Sequence, residues 1–372
     1  MIPPVGAILA STTTVTASLS FIPVAVYFDL FSILVKIGKP ATSQQITDSR
    51  NEERSQVEKE QAPLCYQLTH DVLFAISSIG LVDIVQDDLF EANDITRHMV
   101  SMPSAQHGAL HFATEPMFAG AFLMRKLIDT NFEYPFKALE TPTQYGYKLL
   151  GQNDLAKEHT YSIMAHQGRM DSFNQFMVGK FGKFGKMPDR VRSFGYDLDG
   201  AVSGTESDTV WVDIGGGRGE MLLELKEAYP TLMKEALVLQ EFNPDIGSVP
   251  EVTQMEWNFA SDTPQPVEGA LNYSLSHIFH NLPDLNALEL MQKVSKAMAP
   301  YSRLIIQEFT KNKSYGKMHA TMITLYGGRL RSSAEWTRLA ALCGLKVTFE
   351  AYPEAGEGLI EMRKNITIPL TR

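Results

Sequence analysis

The chain has 372 residues, 44% of them hydrophobic and 20% charged, the balance of a globular protein with room for two cores. A formal net charge of −10 argues against nucleic acid and anionic membrane surfaces as partners. Cys65 and Cys343 are the only cysteines. They form neither a metal-spaced cluster nor a disulfide framework, so no metal site is expected and a reducing, cytoplasmic setting is.

In chain order, "ASTTTVTASLS" (10–20) reads as a flexible arm or a helical dimer surface. "FIPVAVYFDLFSILVK" (Phe21–Lys36) raises the question of a membrane span. Pro23 and Asp29 interrupt it, its apolar run is shorter than a bilayer requires, and no basic n-region or cleavage site accompanies it. It is expected to be a buried or subunit-facing helix, and the protein a homodimer without a membrane partner. Ala41–Glu60 is polar, with one short helix and a loop. Leu64–Val85 has apolar residues at helical spacing followed by β-branched ones, and "DIVQDDLFEAND" resembles a hairpin turning at Asp87-Asp88. Helix, helix, hairpin is a winged-helix pattern, and residues 1–150 are expected to form a mainly helical dimerisation and substrate-wall domain. Residues 151–372 are expected to form the second domain. After a helical stretch and a polar linker, "DLDGAVSGTESD", strands at "TVWVDIG", "EALVLQEF", "GALNYSLS", "SRLIIQEFT" and "LKVTFEAY" alternate with helices. Such alternation predicts an α/β fold with a doubly wound, largely parallel, Rossmann-like sheet.

"VWVDIGGGRGE" sets Gly215, Gly216, Gly217 and Gly219 between a strand and a helix, with Asp213 just before them. Glycines there allow a tight turn and close approach to a ligand. The spacing departs from the G-x-G-x-x-G of a dinucleotide site. Glu241 follows at the tip of the next strand, 26 residues after Gly215, where an acid accepts both ribose hydroxyls. A nucleoside ligand without phosphates is the expectation, namely S-adenosyl-L-methionine or S-adenosylhomocysteine.

These stretches, together with "PQPVEGALNYSLSHIFHNLPD", "RLIIQEF" and "GGRLRSSAEWTRLAALCGL", resemble the class I S-adenosylmethionine-dependent O-methyltransferases. The likeness is to the caffeate-type group abundant in plants and in fungal secondary metabolism. The resemblance implies that Asp213, the four glycines, Glu241, Asn258, Phe259 and Ser276 hold the cofactor. It implies that His280 is the general base and that Glu308 is one of its two flanking acids. The chain departs from the pattern at several places. Leu330 stands where the second acid belongs, Asn281 replaces an Asp, and Leu282 replaces a Trp that stacks on adenine. Ser276 and His277 replace a basic pair, and Asn258 an Asp near the adenine amino group. His319 stands where fungal relatives commonly carry Asp.

Two activities follow. One is O-methylation of a phenol or enol with His280 as base. The other is that of the fungal pericyclases of this family, which keep S-adenosylmethionine unconsumed while steering dehydration, hetero-Diels–Alder or Alder-ene steps on polyketide–pyridone intermediates. There His277, His280, His319 and Thr321 would polarise a small natural-product substrate. The number of altered positions around His280 favours the pericyclase. An inactive scaffold is set against by the preserved glycine loop and His280. His107 and His111 read as packing residues or as groups that reach the pocket.

Overall fold

The computed structural model describes residues 4–54, 62–182, 185–242 and 247–366. It divides into two compact units: Met1–Ala121 with Tyr161–Lys183, and Phe122–Thr160 with Phe184–Arg372. The sequence-based boundary at 150/151 falls inside the first segment of the second unit.

The first unit is mainly helical. It contains α1 (Val5–Leu19), α2 (Ile22–Tyr27), α3 (Leu30–Ile37), α4 (Ser43–Glu52) and α5 (Tyr66–Ser77). A small sheet of β1 (Ala41–Thr42), β2 (Asp83–Gln86) and β3 (Leu89–Glu91) has the order β1-β3-β2. The expected hairpin is present, with Asp88 at its turn in a left-handed conformation (φ 52°). Then come α6 (Asp94–Ser101) and α7 (Pro103–Phe112), while α8 (Glu115–Asp129) begins in this unit and ends in the second. After α9 (Pro142–Leu149) of the second unit, α10 (Thr160–His166) and α11 (Met170–Gly182) follow.

The apolar N-terminal segment is buried as expected, but not as one helix. Phe21–Lys36 is two helices, broken where Asp29 takes a positive φ of 53°. Ile22, Ala25, Leu30, Phe31, Ile33 and Leu34 are buried in the unit's own core. The uncovered apolar run lies earlier. The lead-in is helical, α1 buries no residue, and Val5–Tyr27 spans 23 residues at mean hydropathy 1.5 with 6% of its apolar window buried. By length and composition that run is enough to cross a bilayer.

The second unit is built on a seven-stranded sheet of order β6-β5-β4-β7-β8-β10-β9. Its strands are β4 (Trp211–Ile214), β5 (Leu237–Glu241), β6 (Thr253–Glu256), β7 (Asn272–Ser276), β8 (Arg303–Phe309), β9 (Leu345–Ala351) and β10 (Glu357–Lys364). The first five pair in parallel, and β10 runs antiparallel to both neighbours. The doubly wound, largely parallel sheet is thus as expected. Parallel strands covered on both faces must be apolar on both, and β4 is buried at all four residues. Val212 and Ile214 face a core shared with α15 (Asp284–Ala297) and α17 (Ser333–Leu342). Trp211 faces another shared with α12 (Met187–Ser193), α13 (Leu198–Val202) and α14 (Glu220–Ala228). The helix α16 (Gly316–Tyr326) precedes α17.

Three local expectations are corrected. The "polar linker" contains α13, capped where Asp197 Oδ1 accepts from the Gly200 N–H at 2.9 Å and anchored by buried Leu198, Ala201 and Val202. β6 and β10 were not expected. β6 alternates half-buried and exposed residues at the sheet edge, and β10 hides charge in the core.

Candidate active site

Strand order reverses between β4 and β7, and a crevice opens at the carboxyl ends of strands at such a switch point. The glycine loop leaves β4 on one side, and the segment Ser276–Asp284 leaves β7 on the other.

The glycine loop is shaped by backbone. Gly215, Gly217 and Gly219 have positive φ (67°, 56° and 75°), a region closed to most side chains. Gly216 is needed for a different reason: a Cβ there would lie 2.2 Å from Asp213 Oδ2 and 2.6 Å from Leu239 Cδ1. Asp213 is buried beneath the loop, where its Oδ1 accepts from Ser274 Oγ at 2.8 Å; Trp211 Nε1 donates to that hydroxyl at 2.8 Å. Burial, opposed by the Ser274 bond and reinforced by the charges of Glu241 and Glu220, pushes the Asp213 carboxyl up to about 7. Glu241, at the tip of β5, accepts from the N–H groups of Gly217 (3.1 Å) and Phe242 (2.9 Å). The space beside Gly217 is open. Phe259 lies near Gly215, 3.7 Å from where its Cβ would be, and Asn258 Oδ1 accepts from the Ala260 N–H at 3.0 Å.

The histidine side is shaped by buried charge. The segment makes a left-handed turn at His277 (φ 57°) and a single 3₁₀ turn at Phe279–Asn281, with α15 beginning at Asp284. His280 and Glu308 are 5% and 2% exposed. Glu308 Oε2 bonds His280 Nδ1, and Oε1 accepts the His280 backbone N–H at 3.1 Å. Burial alone would raise the Glu308 carboxyl. The charge and hydrogen bond of His280, with His277 beyond, outweigh it and hold Glu308 below its ordinary value. Next to this pair, His277 Nε2 bonds Glu357 Oε1 at 2.7 Å, and Arg190 Nη2 donates to Glu357 Oε2 at 2.8 Å and to Gln307 Oε1 at 2.7 Å.

His277, His280 and Glu308 each bring a ligand-type atom within 4.8 Å of the others. Within the trio Glu308 is bonded to His280, while His277 is bonded to Glu357. Ser276 ends β7, and the His277 N–H continues the ladder to the Gln307 carbonyl at 3.0 Å.

Two of the expected polar groups each have a partner of their own. Thr321 Oγ1 donates to the Lys317 carbonyl at 3.1 Å, within α16. His319 Nδ1 accepts the Leu330 N–H at 3.2 Å, which leaves Nε2 carrying the proton when the ring is neutral. Burial and the cations Lys311 and Arg329 hold His319 below its ordinary value. Leu330 is 1% exposed and brings no charge to the site.

Sequence reasoning missed Glu357, Arg190, Arg331 and Gly328. Arg331, 3% exposed, donates to the carbonyls of Phe279 (2.7 Å) and Leu282 (2.9 Å) and to Asp284 Oδ1 (2.7 Å), which clamps the His280 turn. Gly328 lets the backbone of that turn approach: its Cβ would stand 2.2 Å from the His280 carbonyl oxygen. The signal for these two was the phrase "GGRLRSS" itself. Glu357 carried none. In the first unit, His107 Nδ1 bonds Ser172 Oγ at 2.9 Å, and His111 lies 3.0 Å from Glu115, which also pairs with Arg169.

A glycine loop and an acid-held histidine at the switch point of this sheet define a class I methyltransferase-like domain. Residues 203–346 match the O-methyltransferase domain family. The chain is 54% identical over 366 residues to the O-methyltransferase bfoE of Aspergillus brasiliensis, covering 98% of this chain and 97% of that protein. It is 51% identical over 375 residues to the O-methyltransferase aunE of Aspergillus niger, again covering 98% and 97%. The solved structure of LepI in complex with SAM superposes with a TM-score of 0.78 at 19% identity, covering 98% of this chain and 90% of that one. A structure described as a pericyclic reaction enzyme superposes with a TM-score of 0.76 at 20% identity, with the same coverage. The chain belongs to the O-methyltransferase family.

Proposed function

We propose that this protein is an S-adenosyl-L-methionine-dependent O-methyltransferase of fungal natural-product biosynthesis, acting on a phenolic or enolic hydroxyl. The observation that carries this reading is the double hold of Glu308 on His280. A carboxylate on Nδ1 sets the tautomer whose Nε2 accepts a proton, and it stabilises the imidazolium that results. The second bond, to the His280 backbone N–H, keeps carboxylate and ring in register. His280 thereby takes the substrate proton, and Glu308 holds the charge. His277, His319 and Thr321 form polar surroundings for the substrate oxygen.

The cofactor side fits the same reading. Open space at Gly217 and the acids Asp213, Glu220 and Glu241 suit a cationic nucleoside. Asp213, Gly215, Gly216, Gly217, Gly219, Glu241, Asn258, Phe259 and Ser276 would hold S-adenosyl-L-methionine or S-adenosylhomocysteine. When bound, the former supplies an electrophilic methyl group.

The pericyclase preferred from sequence remains the second reading, because Leu330 leaves His280 without its second flanking acid. The close relatives are named O-methyltransferases, and the His280–Glu308 pair is complete, so methylation takes precedence. One experiment separates the two. The purified protein is incubated with S-adenosyl-L-methionine and a panel of phenolic polyketides and polyketide–pyridone alcohols, following product mass and S-adenosylhomocysteine together. Gain of a methylene's mass with equimolar S-adenosylhomocysteine supports methylation. An isomer or a dehydrated product with the cofactor unspent overturns it in favour of the pericyclase.

The first unit, with its helix–helix–hairpin arrangement, is proposed as a winged-helix-like dimerisation domain whose α1 is covered by a second copy. Sedimentation in the presence and absence of vesicles tests this: a stable monomer, or vesicle binding without self-association, would count against the homodimer.

A further inference from the structure

Beside His280 and Glu308 lies a second buried histidine–carboxylate pair that proton removal by His280 does not itself require. His277 and Glu357 have side chains 3% and 2% exposed and are bonded at 2.7 Å. The two imidazole rings stand 5.4 Å apart between centroids at 67°. His277 holds a left-handed backbone (φ 57°), a conformation that persists in a non-glycine residue only when its surroundings over-determine it. Glu357 starts β10, opposite Phe309 of β8, so the register places it one residue from Glu308 across the ladder.

Glu308 and Glu357 set two buried carboxylates beside the two rings, and Arg190 sets a guanidinium on Glu357. Arg331 pairs with Asp284, which Arg329 bridges as well. Lys311, Arg329 and Glu335 form their own bridged group near His319. In a buried setting of low dielectric, each neighbouring carboxylate favours the protonated form of the His280 ring, and a neighbouring cation opposes it.

We propose that His277 and Glu357 are positioning residues that set the basicity of His280. Glu357 supplies the second buried negative charge, and His277, bonded to it and packed edge-on against the His280 ring, holds that charge in place. Arg190 opposes it and limits its size. The proposal rests on His280 being the proton acceptor, but its test reads the ring directly and needs no substrate.

Full-length protein carrying ¹³C-labelled histidine is titrated by NMR, with the His280 ring signal among the nine histidines assigned by its loss in His280→Gln. Glu357→Gln removes the anion and is expected to lower the His280 midpoint by on the order of one pH unit. Arg190→Gln removes the opposing cation and is expected to raise it by a similar amount. A merely structural role would not move the two variants in opposite directions. An unmoved midpoint, or displacement of both the same way, overturns the proposal. If Glu357→Gln fails to melt cooperatively, Arg190→Gln decides alone: a rise supports the proposal and its absence sinks it. Methyl transfer could fail for want of the right phenol without touching this result.

Discussion

The two sides of the crevice stand on adjacent parallel strands, yet they are built by different physics. The glycine loop owes its shape to backbone. Its positive φ angles and the contact between Gly216 and Asp213 leave little for side chains to decide. The histidine turn owes its shape to buried charge: Glu308 holds His280, Glu357 holds His277, and Arg331 clamps three groups of the same turn. The comparison teaches where each side can change. A backbone-built loop tolerates almost no substitution. A charge-built one can exchange partners, provided the net charge and the hydrogen bonds still close.

The largest expected effect breaks the charged side alone. His280→Ala should lower methyl transfer to an accepted phenol by about 10²–10⁴-fold, while cofactor affinity measured by calorimetry changes little. Loss of cofactor binding in that variant would show that the two sides are not separable.

A pair of glycine substitutions draws the contrast more finely. Gly216→Ala drives a Cβ onto the buried Asp213 carboxylate and should weaken cofactor binding about ten- to a hundredfold, from an overpacking cost of ~1–3 kcal/mol. Gly328→Ala drives a Cβ onto the His280 carbonyl and should spare cofactor affinity while cutting turnover by a similar factor. If both variants lose affinity equally, the division into two sides is wrong.

Legibility in the sequence followed the same division. The loop was readable because glycines after an apolar strand have few other uses, and β4 and β5 are apolar runs. The charged side was readable only where a known phrase covered it, at His280 and Glu308. "EGLIEMRK" did not read as a strand because Glu361 and Arg363 look like surface residues. In the fold Glu361 is 4% exposed, takes the Tyr196 hydroxyl at 2.7 Å and pairs with Arg303 and Arg363. Tyr196 and Arg303, so distant in the chain, leave no local periodicity, and so neither β10 nor Glu357 stands out in the sequence. Asp197–Val202 was mistaken for a linker because its cap and its glycine carry the same polarity as a turn.

The third prediction concerns pH on the backbone side. Between the ordinary Asp value near 3.8 and about 7, the folded chain holds a proton on Asp213 that the unfolded chain has released. Stability of the unliganded protein should therefore fall as pH rises through that window. Ionised Asp213 favours a cationic ligand, so S-adenosyl-L-methionine affinity should rise with pH through about 7, by up to about tenfold. S-adenosylhomocysteine lacks the sulfonium charge and should rise less. Asp213→Asn should flatten both curves, and calorimetry at several pH values reads it. An affinity that falls with pH would contradict the sign.

The smallest effect tests whether the charged side misses the family's Asp at position 281. Asn281 Nδ2 donates to the His277 carbonyl at 3.3 Å, a long bond, so its contribution is modest. Asn281→Asp would set a carboxylate oxygen against that carbonyl in place of an N–H, and would add a negative charge to a turn already flanked by the carboxylates of Glu308 and Glu357. The added charge should make His280 a stronger base, whereas the lost donor should loosen the left-handed turn at His277. These effects oppose each other, and kcat is expected to change by less than about threefold, since a half-buried charge is partly screened by solvent. A rise of tenfold or more in methyl transfer would mean that Asn281 is what limits this base, and that the His277–Glu357 pair does not compensate for it.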